Sequence, residues 1–174
     1  MSHPPTPKGL WELRGSQPQI VVITGEIGSG KTSYCAALVR HVQASGGTVC
    51  GLLSVGTFMN GVKVAIDVHD LRTGQPRRLA TRRPQPDPAS PTPNWQFDED
   101  ALRWGDAVLA AAPRCDLLVI DELGPLELLH ASGYQSAFNL LKRRAYRLAC
   151  VVVRPSLVEA FCARVAVDAV YTLS

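Results

Sequence analysis

A glycine-rich segment near the start of the chain carries residue types that bind phosphate. The string Gly25-Glu-Ile-Gly-Ser-Gly-Lys-Thr32 fits the pattern G-x-x-x-x-G-K-S/T, the P-loop, at every fixed position. Glycines let successive backbone N–H groups face one anion, and the following helix adds the positive end of its dipole. Lys31 supplies a cation for the β- and γ-phosphates, and Thr32 supplies a hydroxyl for the Mg²⁺ ion that bridges them. The segment therefore predicts a site for a nucleoside triphosphate with Mg²⁺.

The residues expected to bind the nucleotide run from the first glycine of this string to the residue after its threonine. They are Gly25, Glu26, Ile27, Gly28, Ser29, Gly30, Lys31, Thr32 and Ser33.

Two adjacent acids follow a second apolar run. In Asp116-Leu-Leu-Val-Ile-Asp121-Glu122, four apolar residues lead into paired carboxylates, as in a Walker B strand. At the carboxyl end of a parallel sheet such a strand ends beside the P-loop. Asp121 would then hold Mg²⁺ through a water molecule, and Glu122 could accept a proton from the water that attacks the γ-phosphate. The alternative is that the two acids only begin a solvated loop.

Other charged residues could complete the site. Arg154 directly follows an apolar run and could stabilise the charge of the transition state, so it joins Glu122 and Lys31 as a catalytic candidate. Glu127 follows a Gly-Pro turn and is either a second carboxylate near the site or a carboxylate that stabilises a helix start. The basic residues 142–144 and 147 are either a lid or finger, or the solvated face of a helix.

The segments around these motifs alternate between strands and helices. Apolar runs predict strands over 19–24, 48–54, 116–120, 149–153 and 169–173. Helices are predicted over 32–44, 98–112, 133–147 and 156–165. This alternation predicts an α/β fold, with a mostly parallel five-stranded sheet in a three-layer P-loop NTPase arrangement. The tips of the 19–24 and 116–120 strands are expected to lie side by side.

An antiparallel flap interrupts this alternation. Apolar and polar residues alternate over 62–69, directly after the Asn60-Gly61 turn, and residues 77–82 could add a third strand. The flap is expected over about 55–82. A loop over 83–94 follows, in which five prolines exclude regular structure and which could cover a site.

Composition and the chain ends complete the domain description. Residues 1–18 are expected to form a flexible tail, and 19–174 a single P-loop NTPase domain. The net charge of +3 is spread along the chain, so nucleic acid is not indicated as a partner. Because the apolar runs are too short to cross a bilayer and no signal sequence is evident, a cytoplasmic protein without membrane contact is expected.

The five cysteines form no CxxC pair and are interpreted as buried thiols in a reducing compartment.

One longer string resembles a known family. Ile120-Asp-Glu-Leu-Gly-Pro-Leu-Glu-Leu128, together with the P-loop and residues 51–71, resembles the small nucleoside-triphosphatase family, whose core is RecA-like. The resemblance runs from about Gln19 to the C-terminus. It implies Mg²⁺-dependent hydrolysis of ATP, GTP and other nucleoside triphosphates to diphosphate and phosphate. It also implies a strand inserted between the P-loop strand and the next strand in sequence, with Glu122 as the base on that inserted strand.

Two other functions fit the same motifs. A P-loop kinase would pass the phosphate to a small acceptor, with Arg143, Arg144 and Arg147 closing over it. A non-catalytic nucleotide sensor or assembly factor would transmit its conformation to a partner through the flap or the proline-rich loop. A guanine-specific switch is disfavoured because the chain contains no N-K-x-D string. The sequence leaves open the base preference, a protein partner and a homo-oligomer.

Overall fold

Eight strands form one sheet in the computed structural model, which describes residues 2–174. In chain order they are β1 (Gln19–Thr24), β2 (Val49–Met59), β3 (Val62–Asp70), β4 (Pro76–Arg82), β5 (Trp95–Phe97), β6 (Leu117–Leu123), β7 (Leu148–Val153) and β8 (Ala169–Thr172). Across the sheet their order is β5-β4-β3-β2-β6-β7-β1-β8. Five neighbouring strands, β2, β6, β7, β1 and β8, pair in parallel, as predicted. The other three, β3, β4 and β5, add to this sheet by antiparallel pairing.

Helices cover both faces of this sheet. They are α1 (Pro7–Leu13), α2 (Lys31–Ala44), α3 (Glu99–Ala110), α4 (Pro125–Leu129), α5 (Ser136–Arg143) and α6 (Val158–Arg164). Side chains of β1 alternate between two cores, because successive residues of a strand point to opposite faces. Ile20 and Val22 pack with α3, α5 and α6, whereas Val21 and Ile23 pack with α1 and α2. This confirms the predicted three-layer α/β architecture. No helix among residues 2–174 is long and apolar enough to cross a membrane.

The strand order differs from the sequence-based expectation at the centre of the sheet. β7 lies between β1 and β6, so the tips of these two strands are not side by side. Both β6 and β7, rather than one inserted strand, separate β1 from β2. All six residues of β7 are buried, as a central strand requires, but an apolar run does not reveal which strands it pairs with.

The flap is an extension of the same sheet. β2 continues five residues past the predicted end, to Met59, and the chain then turns at Asn60 and Gly61. Their φ values of 50° and 76° suit a tight hairpin turn. β3 and β4 follow antiparallel, as predicted. β5 was not predicted, because three residues after a proline-rich loop give too short a pattern; it pairs with β4. Residues 84–93 contain no helix or strand, as predicted.

The N-terminal segment is not the flexible tail that its composition predicts. Residues 7–13 form α1, where the Thr6 hydroxyl accepts a hydrogen bond from the Gly9 N–H at 3.1 Å. Leu10 and Trp11 are buried against the α2 side of the core. Two well-placed apolar residues are enough to dock this short helix, although polar residues and prolines surround them. Met1, the first residue of the expected tail, lies outside the described residues.

The prediction that the cysteines are all buried thiols is wrong for three of them. Cys50 near the start of β2 and Cys115 just before β6 form a disulfide, with Cα atoms 6.2 Å apart. The two residues are 65 positions apart in sequence, and the parallel pairing of β2 with β6 brings them together. Cys162 is exposed, whereas Cys35 and Cys150 are buried thiols.

Helix ends also differ from the predictions. The Asp98 carboxylate caps α3 by accepting from the Ala101 N–H at 2.8 Å, so this helix begins close to the predicted position. The helix predicted over 156–165 starts only at Val158, because Pro155 begins a short 3-10 turn before it. The predicted helix over 133–147 is shorter, since residue 144 adopts a left-handed conformation that ends α5.

We expect the Trp11→Ala variant to lower the free energy of unfolding by about 3 kcal/mol, because the ring is only 6% exposed. Urea titration followed by circular dichroism measures this loss. Leu13→Ala, on the same helix but at a side chain that is 75% exposed, is the matched control and should change stability by less than about 0.5 kcal/mol. Equal effects of the two variants would mean that α1 does not dock.

Candidate functional site

The P-loop joins the end of β1 to the start of α2. Gly25, Gly28 and Gly30 have φ values of 141°, 86° and 88°, a region that favours glycine. At Gly25 a Cβ atom would lie 2.2 Å from the Leu173 carbonyl oxygen, so the close approach of the C-terminal segment also requires glycine there. The loop therefore has the backbone form that lets consecutive N–H groups point toward one anion.

Lys31 closes this loop with its own side chain. Its Nζ donates to the carbonyl oxygens of Gly25 at 2.6 Å and Glu26 at 2.7 Å. Burial lowers the pKa of Lys31, and the negative charges of Glu122 and Asp121 partly oppose this shift. The ammonium group thus lies at the loop and within electrostatic reach of both acids.

Asp121 is the buried acid of the site. Its side chain is hydrogen-bonded to that of Thr32, and the Ser54 N–H donates to its Oδ2 at 3.2 Å. The residue is only 2% exposed. Burial raises the pKa of Asp121 from the usual 3.8 to about 7, although the hydrogen bonds from Thr32 and Ser54 act in the opposite direction. The carboxyl group therefore loses its proton far less readily than an exposed aspartate does.

Glu122 is oriented by an arginine from the neighbouring strand. The Nε of Arg154, directly after β7, donates to the Glu122 Oε1 in an ion pair. Both side chains remain partly exposed. The peptide bond between Asp121 and Glu122 is cis. The pair lies at the carboxyl edge of the sheet, where a ligand can reach it.

The carboxyl ends of three neighbouring parallel strands assemble these groups. The P-loop follows β1, Arg154 follows β7, and the two acids end β6. Since β7 lies between the other two, it adds Arg154 to the site without separating Thr32 from Asp121. The predicted convergence of loop and acids is thus present in a sheet order that differs from the expected one.

A cavity of about 170 Å³ opens beside the two acids. One wall contains Thr32, Asp121, Glu122 and Arg154. The opposite walls come from the flap, the proline-rich loop, α3 and the segment around α4. Lys63, Trp95 and Phe97 are among these lining residues.

The proline-rich loop and the two aromatic residues after it therefore border the site. Pro91, Thr92, Pro93 and Asn94 all line the cavity. Trp95 and Phe97 are both only half-buried. The loop is placed to cover this cavity.

Glu127 holds the backbone beside the site. Its Oε2 accepts from the Gly124 N–H at 2.8 Å and its Oε1 accepts from the Tyr134 N–H at 3.0 Å. The side chain is buried, and this burial raises the pKa of its carboxyl group. These contacts match the helix-start interpretation, since both oxygens are engaged with backbone groups around α4.

The basic residues after α5 lie away from the site. Arg144 donates to the Pro18 carbonyl oxygen at 2.8 Å, and Arg147 lies 3.8 Å from the Asp116 carboxylate. Pro18 and Asp116 precede β1 and β6, so these arginines lie at the amino edge of the sheet. The idea that Arg144 and Arg147 close over a phosphate acceptor within the same chain is therefore wrong. Helix pattern alone could not show which edge they occupy.

Sequence reasoning missed three residues that border the acids. Ser54 contacts Asp121, while Lys63 and Tyr134 line the cavity. Ser54 was detectable in principle, because it is the last residue of the predicted strand 48–54. Lys63 and Tyr134 carry no motif signal, because their position depends on how the flap and the segment before α5 fold over the sheet.

The site combines a phosphate-binding loop, paired acids and an arginine at one edge of the sheet. The same chain is similar in sequence and fold to known proteins. Residues 20–171 match the sequence model of a protein family described as NTPase. The chain belongs to this family. It is a nucleoside-triphosphatase, and its fold is that of a P-loop NTPase. The sequence-based resemblance and the fold class are therefore confirmed.

Several relatives and solved structures are similar to this NTPase. Nucleoside-triphosphatase THEP1 of Caldivirga maquilingensis is 27% identical over 128 residues, which cover 74% of this chain and 72% of that protein. The protein of the same name from Methanopyrus kandleri is 30% identical over 64% of this chain and 61% of its own. The solution structure of a human cancer-related nucleoside triphosphatase has a TM-score of 0.65 at 23% identity, covering 88% of each chain. THEP1 from Aquifex aeolicus has a TM-score of 0.53 at 16% identity, covering 90% of each chain.

The burial of Asp121 predicts a pH dependence of stability. Because its pKa is raised from 3.8 to about 7 in the folded protein, the folded state binds more protons than the unfolded state between these values. The contribution of Asp121 to the free energy of unfolding is therefore lost as pH rises through this range in metal-free protein. Asp121→Asn should remove this component, which urea titrations across the pH series with a chelator present would measure.

Asp116→Asn is the matched control for this experiment. Hydrogen bonds from Thr48 lower the pKa of Asp116 below its usual 3.8, so that variant should change the pH slope only in acid and with the opposite sign. If wild type and Asp121→Asn have parallel stability curves between pH 4 and 7, the raised pKa of Asp121 is wrong.

Proposed function

We propose that this NTPase hydrolyses nucleoside triphosphates to diphosphate and phosphate with Mg²⁺, and that Glu122 is the base. The observation that carries the proposal is the position of the Glu122 carboxylate. It is held by Arg154 at the sheet edge, one residue from the buried acid that contacts the P-loop threonine. A protein that only binds a nucleotide does not need a second, accessible carboxylate there.

The phosphate tail would lie along the P-loop. The backbone N–H groups from Gly25 to Ser33 would bind the β- and γ-phosphates, aided by the start of α2. Lys31 would exchange its present contacts with the Gly25 and Glu26 carbonyl oxygens for phosphate oxygens. That exchange costs little, because the ammonium group already lies at the centre of the loop.

The residues present fit a magnesium ion. Mg²⁺ prefers oxygen ligands and is usually bound through one or two carboxylates together with substrate phosphates. Thr32 and Asp121 provide a hydroxyl and a carboxylate that are already hydrogen-bonded to each other. When bound, the ion neutralises charge on the β- and γ-phosphates. Asp121 would release its proton on taking up this role.

Glu122 would accept the proton of the attacking water. The new bond joins the water oxygen to the γ-phosphorus, and the bond to the bridging oxygen of the diphosphate breaks. Arg154 donates a hydrogen bond to Glu122. On nucleotide binding, its guanidinium group would turn from this carboxylate to the γ-phosphate. In that position its guanidinium group would stabilise the charge of the transition state.

The proposed substrate range is broad. The resemblance to nucleoside triphosphatases supports ATP, GTP and other triphosphates as substrates, and no motif in the chain selects one base. A non-catalytic sensor would use the same P-loop without a base, so the role of Glu122 decides between the two.

We expect Glu122→Gln to reduce phosphate release by about 100-fold or more, because the amide cannot take the proton. Nucleotide affinity should remain, since Lys31 and the loop are unchanged. Phosphate release and calorimetric titration of a nucleotide measure these two quantities. The control variant is Glu159→Gln, which makes the same Glu-to-Gln change at an exposed position on α6. Unchanged turnover in Glu122→Gln would show that Glu122 is not the base.

We expect Thr32→Ala to raise the Mg²⁺ concentration for half-maximal phosphate release about tenfold, equivalent to about 1.4 kcal/mol for one lost oxygen contact. Thermal stability should change little, because Thr32 is only half-buried. The control is Thr57→Ala, which removes another threonine–aspartate hydrogen bond, 3.2 Å long, to Asp67 in the flap. Identical magnesium titrations for the two variants would remove Thr32 from the magnesium site.

A further inference from the structure

The cavity beside the acids is larger than a hydrolytic water requires. A P-loop holds the γ-phosphate near its lysine and threonine, so this phosphate would lie on the side of Asp121 and Glu122. The cavity is bordered by Ile27 and Thr32 of the P-loop and extends past these acids to the flap, the proline-rich loop and α3. Its volume is about 170 Å³, whereas one water needs roughly 15 Å³. The cavity as a whole is therefore large enough for an organic molecule beside the acids.

The walls of this cavity have the chemistry of a small-molecule site. Apolar and aromatic side chains predominate away from the acids, and sites of this kind bind ring-bearing ligands. The residues are Ile66, Leu79, Trp95, Phe97, Leu102 and Tyr134. A water-only active site gains nothing from such a lining, since apolar walls do not orient water.

One buried polar group in this wall has no partner. Tyr134 is only 3% exposed, and its hydroxyl makes no hydrogen bond to any residue from 2 to 174. By contrast, the buried Tyr146 hydroxyl donates to the Leu141 carbonyl oxygen at 2.7 Å. A buried hydroxyl without a partner is unfavourable. It has almost no accessible surface, so a ligand in the cavity would bond to it only after a shift of the Tyr134 ring.

The proline-rich loop forms the solvent-facing wall of the cavity. Pro91 and Asn94 line the cavity while remaining exposed to solvent, and the loop contains no helix or strand. Lys63 on the flap lies with its Nζ 6.0 Å from the centre of the Trp95 ring, also at the cavity. A ligand could therefore enter past the loop without disturbing the P-loop or β6.

We propose that this cavity binds a second substrate, a small ring-bearing alcohol, whose hydroxyl replaces water as the nucleophile at Glu122. The proposal rests on the function proposed above. The alcohol oxygen bonds to the γ-phosphorus, and the bond to the bridging oxygen of the nucleoside diphosphate breaks. Glu122 takes the hydroxyl proton, and the products are a phosphate monoester and the diphosphate. The apolar walls hold the ring.

The test follows the γ-phosphate of labelled ATP in the presence of an alcohol. The probes are benzyl alcohol and the four common ribonucleosides, each at millimolar concentration with Mg²⁺. Chromatography separates labelled phosphate monoester from labelled inorganic phosphate. The ratio of the two products is the readout, because it is independent of the amount of active protein.

Two variants fill the cavity from different walls. Leu102→Trp on α3 and Ile66→Trp on β3 should each lower the ratio of monoester to inorganic phosphate by about tenfold or more, because the ring occupies the space of the acceptor. Leu129→Trp is the matched control at a leucine that is 61% exposed and outside the cavity lining, and it should leave the ratio unchanged. Thermal melting shows which variants fold, and one folded cavity variant is sufficient.

The outcomes separate this proposal from the proposed hydrolysis. Monoester formation that the cavity variants suppress supports the acceptor site. Release of inorganic phosphate with no monoester from any probe overturns the acceptor site and leaves hydrolysis in place. Monoester formed without inorganic phosphate supports the acceptor site and overturns hydrolysis. If the wild-type protein forms neither product, the proposed function fails and the acceptor site fails with it.

Discussion

A buried hydrogen bond between Thr32 and Asp121 joins the two sequence motifs of this protein into one site. It connects the first turn of the P-loop helix to the end of β6 across the tip of an intervening strand. The carboxyl group is unfavourable to bury alone, and the backbone of Ser54 and the Thr32 hydroxyl compensate for part of that cost. If this contact were lost, the pairing of β1, β7 and β6 would still hold the strand ends together, but the P-loop helix would lose its direct link to the acids.

The acids beside that contact differ in accessibility, and this difference separates their chemistry. Asp121 is enclosed and has a raised pKa. This suits a metal-binding side chain whose carboxyl group loses its proton when the cation binds. Glu122 faces the cavity and is paired with Arg154. Two carboxylates adjacent in sequence thus have different surroundings, because one points into the sheet edge and the other toward open space. Neighbouring acids in such different environments can perform different tasks.

The sequence predicts those parts of the site that depend on contiguous residues. The P-loop and the Asp121–Glu122 pair are local patterns, and the element that precedes each is a buried apolar strand. Arg154 was identifiable from its place at a strand end. Tyr134 and Lys63 were not, because they reach the cavity only through the folding of the flap and of the segment before α5. Likewise β7 has the composition of any buried strand, and nothing in its six residues indicates that it lies between β1 and β6.

The disulfide between Cys50 and Cys115 joins the amino ends of β2 and β6, the sheet edge opposite the phosphate loop. β2 also carries the antiparallel strands of the flap. The bond fixes the amino end of β2 to that of β6, at the end of both strands that lies far from the cavity. Any bending of the flap relative to β6 must then increase with distance from that bond. The largest displacement would fall at the cavity mouth, the part of the flap farthest from the disulfide.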